Sequence, residues 1–299
     1  MDKKIFIITA EDGIVRITRF LQKRMPLYNF NQISQLLRKG CIKLNDIRIK
    51  KDSLINVGDK VEIFAKIEEK IHKNKISPNR KLIQSIQEAI IYKDQDLIAL
   101  NKPAGLATQG GIKVKVSLDD LAEYLTFERK NKPKLVHRWD RETSGLILLA
   151  RNDITARDLT IKFRKKEIEK YYLALVFGQL QREKGTIETI TSKDNNTASD
   201  IKAITHYENL FSQGYYHLMQ FKIETGKKHQ IRIHAKELGI PILGDIKYGG
   251  QEASRLFLHS HQAFFNFNNQ KFSLTAELPA SFYEICTNLG IKIQLKTPA

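Results

Sequence analysis

Val136-His137-Arg138-Trp139-Asp140-Arg141-Glu142-Thr143-Ser144-Gly145-Leu146, continued by Ile147-Leu148-Leu149-Ala150, sets a charged island against an apolar run. The run is short and unbroken, which predicts a buried strand. Four ionisable groups fall within the five residues from Arg138 to Glu142. Packing alone gives no reason for them, because each must be paired or kept wet. Asp140 stands between Arg138 and Arg141, cations that should hold it ionised and available as a nucleophile or base. On this stretch alone, a surface turn with a local Arg–Asp pair carries equal weight.

Working outward, the 299 residues have room for a full core and two folding units. The hydrophobic fraction of 41% fits a globular chain. No apolar stretch approaches the roughly 20 residues that span a bilayer, and no signal-peptide core follows Met1. Cys41 and Cys286 stand far apart and suggest neither a disulfide framework nor a metal site. A cytoplasmic monomer without a membrane partner is expected. The net charge of +17 points to a polyanion. Residues 1–80 hold 18 Lys and Arg against 9 Asp and Glu, whereas the other 219 hold 32 against 24. The surplus is thus concentrated in the first quarter, which favours nucleic acid over an anionic membrane.

Residues 13–64 form the core of a first domain spanning 1–75. A helix is predicted from Ile14 to Met25, with Ile14, Ile17, Phe20, Leu21 and Met25 inward. A second runs from about Asn31 to Lys39, closed by Gly40. A hairpin turning at Asn45-Asp46 and a strand at Lys60–Phe64 follow. Arg16, Arg19, Arg38, Lys39, Lys43 and Arg48, with Lys50 and Lys51, would face outward as a phosphate-binding surface. The segments Arg16-Ile17-Thr18-Arg19-Phe20-Leu21, Gln35-x-x-x-Lys39-Gly40-x-Ile42-x-Leu44-Asn45 and Val57-Gly58-Asp59-x-Val61 resemble the S4-like RNA-binding module. A polar, Lys-rich run begins at 65. Residues 76–86 are read as the linker proper, ending in a short helix at Leu82–Ala89, and 87–299 as the second domain.

In that second domain, strands are predicted at 97–101, 146–151, 171–177, 203–208, 215–224, 256–260 and 272–276. Helices are predicted at 117–126, 153–166 and 230–238. Three further segments are polar where a plain core would be apolar. They are Asn101-Lys102-Pro103-Ala104-Gly105, Glu169-Lys170-Tyr171-Tyr172-Leu173-Ala174, and Thr225-Gly226-Lys227-Lys228-His229-Gln230-Ile231-Arg232. With the opening stretch, they resemble the RluA family of pseudouridine synthases. Its His-Arg-Leu-Asp-x-x-Thr-Ser-Gly signature is matched by His137 to Gly145, and its Lys-x-Tyr-x-Ala motif by Lys170 to Ala174. Its Thr-Gly-Arg-x-His-Gln-Ile-Arg motif is matched by Thr225 to Arg232, and a Leu-His-Ala segment by Leu258-His259-Ser260. The resemblance covers about 90–280 and is strongest to the large-subunit ribosomal RNA enzymes, the C type in particular. Trp139 stands where the pattern has leucine and Lys227 where it has arginine; a Lys keeps the charge but loses bidentate geometry.

The resemblance implies an α+β catalytic domain on a mixed, largely antiparallel sheet, behind a small S4-like domain. It implies isomerisation of uridine to pseudouridine in large-subunit ribosomal RNA, free or in an assembling particle, with no cofactor and no metal. Asp140 would attack the sugar or the base, or abstract a sugar proton. Arg138 would fill the space left by the flipped uridine or bind a flanking phosphate. Tyr172 would stack on the base or shuttle the proton from carbon 5. Arg232 would pair with Asp140 and orient it. His137 is read as structural or a phosphate contact. His229 and His234, five apart, have no companion ligands and are not read as a metal site. The rival readings are the same reaction on transfer RNA, a non-catalytic RNA-binding ribosome-assembly factor, and a hydrolase using Asp140 as nucleophile.

Overall fold

The computed structural model describes residues 3–25, 28, 30–64, 78–111, 114–191 and 201–293. The chain divides into two compact units, Met1–Ser77 and Pro78–Ala299.

The first unit carries β1 (Lys4–Ile7), β2 (Val15–Arg16), α1 (Ile17–Arg24), α2 (Phe30–Lys39), β3 (Ile42–Leu44), β4 (Ile47–Arg48), β5 (Leu54–Ile55) and β6 (Lys60–Ile63). Four strands pair in the order β1-β6-β3-β4, while β2 and β5 pair separately. The β3–β4 turn holds Asn45 and Asp46 at φ +48° and +69°, the backbone that suits a two-residue hairpin. Both helices lay an apolar stripe, including Ile17, Phe20, Leu21, Ile33 and Leu37, onto Ile42, Val61 and Ile63. Ile14, expected inward, is 68% exposed. The helix begins only at Ile17, after the short strand β2, so Ile14 lies outside its periodicity.

The second unit opens with α3 (Arg80–Glu88). The helix expected at Leu82–Ala89 is present and starts two residues earlier, at Arg80. The Asn79 side chain caps the helix by accepting the Leu82 N–H at 2.8 Å, and Ile86 is buried. Then follow β7 (Ile90–Lys93), β8 (Leu97–Lys102), α4 (Leu118–Leu121), β9 (Lys134–Leu135), β10 (Ser144–Ala150), α5 (Asp153–Lys165), β11 (Glu169–Phe177) and β12 (Lys184–Thr191). The chain continues with β13 (Ile201–Gln213), β14 (Tyr216–Ile223), α6 (Gln230–Glu237), β15 (Leu258–Phe267), β16 (Gln270–Thr275) and α7 (Ala280–Asn288). One sheet orders them β12-β13-β14-β11-β15-β10-β8-β7, with β16 on β15 and β9 on β10. Every pairing within it is antiparallel except β10 with β15. Among the described residues no helix is long and apolar enough to cross a membrane.

β10 explains the opening apolar run. Leu146, Leu148 and Ala150 enter one core cluster with Phe265 and Leu159 of α5. Ile147 and Leu149 enter another with Leu118, Leu121 and Ile86. Both faces are covered, so the strand reads as continuous rather than alternating apolar sequence. At its start Gly145 has φ +107°, and a Cβ there would meet the Ser260 carbonyl oxygen at 2.2 Å. Only glycine lets β10 and β15 approach this closely.

Candidate active site

Asp140 lies in the turn that feeds β10, closed by the Thr143 N–H on the Asp140 carbonyl at 3.2 Å. Buried Lys102, at the end of β8, fastens this turn to the neighbouring loop. Its ammonium donates to the carbonyls of Pro103 and Leu106 at 3.0 Å and of Arg141 at 3.3 Å. Burial pushes the Lys102 ammonium down to about 7. Arg141, expected to flank Asp140, instead donates to the Gly105 carbonyl at 3.0 Å and stands 3.4 Å from Glu142.

The groups that face the carboxylate come from α6. His229 Nε2 is 3.3 Å from one Asp140 oxygen, and Arg232 Nη1 is 3.7 Å from the other. His229 precedes α6 with a left-handed φ of +57°, which turns its ring toward Asp140. The Tyr248 hydroxyl lies 2.7 Å from His229 Nδ1. With that hydroxyl donating, Nε2 keeps its proton for Asp140. Burial pushes the His229 imidazole below its ordinary range, and the Asp140 charge opposes that shift.

Arg232 makes its hydrogen bonds elsewhere than expected. Nε and Nη2 grip the buried Asp245 at 2.7 and 2.6 Å, a bidentate pair, while the Asp140 contact is an ion pair without a hydrogen bond. The helix beneath is held by its own polar contacts. The Gln230 amide donates to the Ile204 carbonyl and Thr205 hydroxyl and accepts from the Thr225 hydroxyl and Lys227 N–H. His234 bridges Thr205 and Thr189 at 2.8 and 2.9 Å, well apart from the role of His229. Every donor and acceptor of that amide is used, which fixes the start of α6 and so the reach of Arg232.

These side chains border a cavity of about 470 Å³. Among its described lining residues Asp140 is the one carboxylate, against six Lys and Arg. Arg138 is exposed at the edge and makes no ion pair with a described residue. Tyr172 forms part of the wall, 2% exposed. Its hydroxyl is buried near Ser260 but makes no hydrogen bond of normal geometry with a described residue. Burial pushes that phenol well above its ordinary range. Trp139 meets Tyr172 edge to face at 5.5 Å, donates its indole N–H to the Leu146 carbonyl at 2.9 Å, and packs between two core clusters. It fills the leucine position as a packing residue. His137 accepts the Leu148 N–H at 2.9 Å, and burial followed by Lys170 drives its imidazole down to about 3. It is a neutral part of the wall.

The structure thus brings Asp140, Tyr172, Arg232 and Arg138 to one cavity. The remaining expected RNA contacts lie in the first unit. Arg19, Arg38 and Lys39 are exposed. Arg16 is 3.7 Å from Asp52, the Lys43 ammonium lies 5.3 Å over the Phe64 ring, and Arg48 donates to the Lys39 carbonyl at 3.1 Å. Sequence reasoning gave His229 no part in the site and overlooked Asp245 and Tyr248. His229 stood in the quoted Thr225–Arg232 motif, where its residue type was weighed only as a metal ligand.

Residues 96–237 match the family model described as RNA pseudouridylate synthase. The chain is 34% identical to the ribosomal large subunit pseudouridine synthase C of Rickettsia bellii, over 93% of this chain and all of that one. It is 31% identical to the protein of the same name from Escherichia coli, over 86% of each. Among solved structures it is similar to human RNA pseudouridylate synthase domain containing 4, with a TM-score of 0.63 at 24% identity over 71% of this chain and 97% of that one. That last likeness is one of fold.

Proposed function

We propose that this chain, which belongs to the RNA pseudouridylate synthase family, converts uridine to pseudouridine in large-subunit ribosomal RNA, with Asp140 as the reacting carboxylate. The observation that carries the reading is the cavity itself, in which one carboxylate, faced by His229 and Arg232, stands with six Lys and Arg among the described lining residues. The names of the relatives support the choice of RNA. The reaction breaks the bond from the ribose C1′ to N1 of uracil and joins C1′ to C5. The C5 proton leaves, N1 gains one, and no electrons are exchanged. The target uridine must leave its stack, at a cost of a few kcal/mol. Arg138, at the cavity edge and free of a described ion-pair partner, enters the vacated stack or holds a flanking phosphate. Tyr172 lies against the extruded base, a contact worth about 1–3 kcal/mol.

The first unit acts as an S4-like reader of RNA phosphates through Arg19, Arg38 and Lys39 and the neighbouring Arg16, Lys43 and Arg48. The protein works as a cytoplasmic monomer, on free RNA or on an assembling particle. The experiment maps pseudouridines in ribosomal RNA from cells with the gene, without it, and with Asp140→Asn. Loss of the same large-subunit sites in the last two supports the reading. Intact sites in the Asn strain would overturn the role of Asp140, and lost sites confined to transfer RNA would overturn the substrate.

A further inference from the structure

Lys170 has no place in the chemistry above, yet its surroundings are unusual for an ammonium group. It lies on β11 two residues before Tyr172, so both side chains leave the same face of the strand, about 7 Å apart along it. The residue is 6% exposed and borders the same cavity as Asp140. It makes no hydrogen bond or ion pair with a described residue. Its neighbours are the Phe163 ring, 5.9 Å from the ammonium, the neutral His137, and Lys166, whose like charge joins burial in pushing the Lys170 ammonium down to about 8. A buried cation without a partner is costly. Asp140, the one described carboxylate in the cavity, is already faced by His229 and Arg232. Arg164, exposed at the end of α5, borders the cavity as well. No described carboxylate is left to complete Lys170, and in an RNA-binding cleft the available anion is a backbone phosphate.

We propose that Lys170, with Arg164 beside it, is a binding site for one backbone phosphate of the RNA, next to the uridine that lies against Tyr172. The inference rests on the reading of the cavity as a pseudouridine synthase site. The phosphate supplies the missing counter-charge, and Lys170 in return fixes how far the flipped nucleotide slides along β11. The substrate phosphate, and no described protein group, pairs the ammonium, so substrate entry relieves the burial penalty.

The test uses the full-length protein and a synthetic fragment of large-subunit ribosomal RNA centred on the mapped uridine. Single phosphates around that uridine are replaced in turn by uncharged methylphosphonates. One linkage is expected to weaken wild-type binding about tenfold, in the range of a charge-assisted hydrogen bond. That same linkage should cost Lys170→Met nothing further, because the variant has already lost the contact, and Lys170→Arg should restore the sensitivity. Lys170→Met should melt no lower than the wild type, since it removes a largely buried charge that no described group pairs. Arg164→Gln, at an exposed position, should show a partial form of the same coupling. A neutral linkage that weakens wild type and Lys170→Met equally at every position would overturn the proposal. So would a Lys170→Met protein that binds normally but loses kcat, which would make Lys170 a proton acceptor in the reaction. Failure of the wild-type protein to modify the fragment at all would count against the cavity reading and not against the phosphate site alone.

Discussion

Arg232→Lys separates two carboxylates that one guanidinium now serves. Three nitrogens are in use: Nε and Nη2 on Asp245 at 2.7 and 2.6 Å, and Nη1 at 3.7 Å from Asp140. A lysine offers one nitrogen and must choose. The Asp245 side chain is fully buried, whereas that of Asp140 is 23% exposed. Leaving a buried carboxylate unpaired costs about 3–5 kcal/mol, but a partly exposed one can be served by water. The lysine therefore goes to Asp245 and abandons Asp140. Losing one of the two charge-assisted bonds to Asp245 lowers stability by about 1.5–3 kcal/mol. Losing the charge that orients Asp140 should cost a similar amount in the transition state, so kcat falls about 10- to 100-fold. Binding should hold within about threefold, because three nitrogens of Arg232 are already engaged with carboxylates of the protein. The assay is single-turnover release of tritium from RNA labelled at uridine C5, since that hydrogen is displaced when the new bond forms. A lysine variant with kcat within threefold of wild type would refute the claim that Arg232 orients Asp140. A loss confined to KM would refute it equally.

Acid should loosen the second unit through two imidazoles. His137 and His259 are held near 3 by burial, below the 6.5 of an unfolded chain, so the unfolded state binds more protons below pH 6.5 and stability is lost as pH falls from 6.5 toward 3. Between pH 7.5 and pH 5 each contributes about 2 kcal/mol of loss, which urea unfolding at the two pH values measures; a flat profile, or one unchanged by His259→Gln, contradicts it. At Gly145, alanine must adopt φ +107° and displace the Ser260 carbonyl. A cost of about 3 kcal/mol or more is expected, read as a melting-temperature drop, and an unshifted transition would mean that β10 and β15 separate freely.

Some of this was legible in the sequence for identifiable reasons. β10 could be read because both of its faces are buried, which leaves an apolar run with no competing period. The charged island stood out because packing had no use for it. The first turn of α3 was missed because its polar residues, Asn79 to Lys81, resemble linker composition until the cap and the buried Ile86 are seen. β12 escaped because it is an edge strand whose Lys184-Gly185-Thr186 start carries no apolar alternation. The partners of Asp140 were beyond reach for a different reason. Arg232 grips Asp245 thirteen residues on, and His229 meets Tyr248 nineteen residues on, beyond the end of α6, where helical periodicity no longer applies. Nor does residue type reveal that His229 takes a left-handed backbone, and without that turn its ring would not face the carboxylate.

The signature itself divides along the same line. Trp139 spends its indole N–H on Leu146 and its rings on the core, Ser144 lies 2.9 Å from the buried His259, and Gly145 sets the approach of two strands. These residues build the support. Arg141, for all its proximity in sequence, is tied back to Gly105. Of the residues that line the cavity, Arg138 and Asp140 are the charged ones the signature contributes. A leucine-to-tryptophan departure from the pattern is therefore tolerable at position 139, where the space is filled and the N–H finds an acceptor. A change of the same size at 138 or 140 would instead remove a charge from the cavity lining.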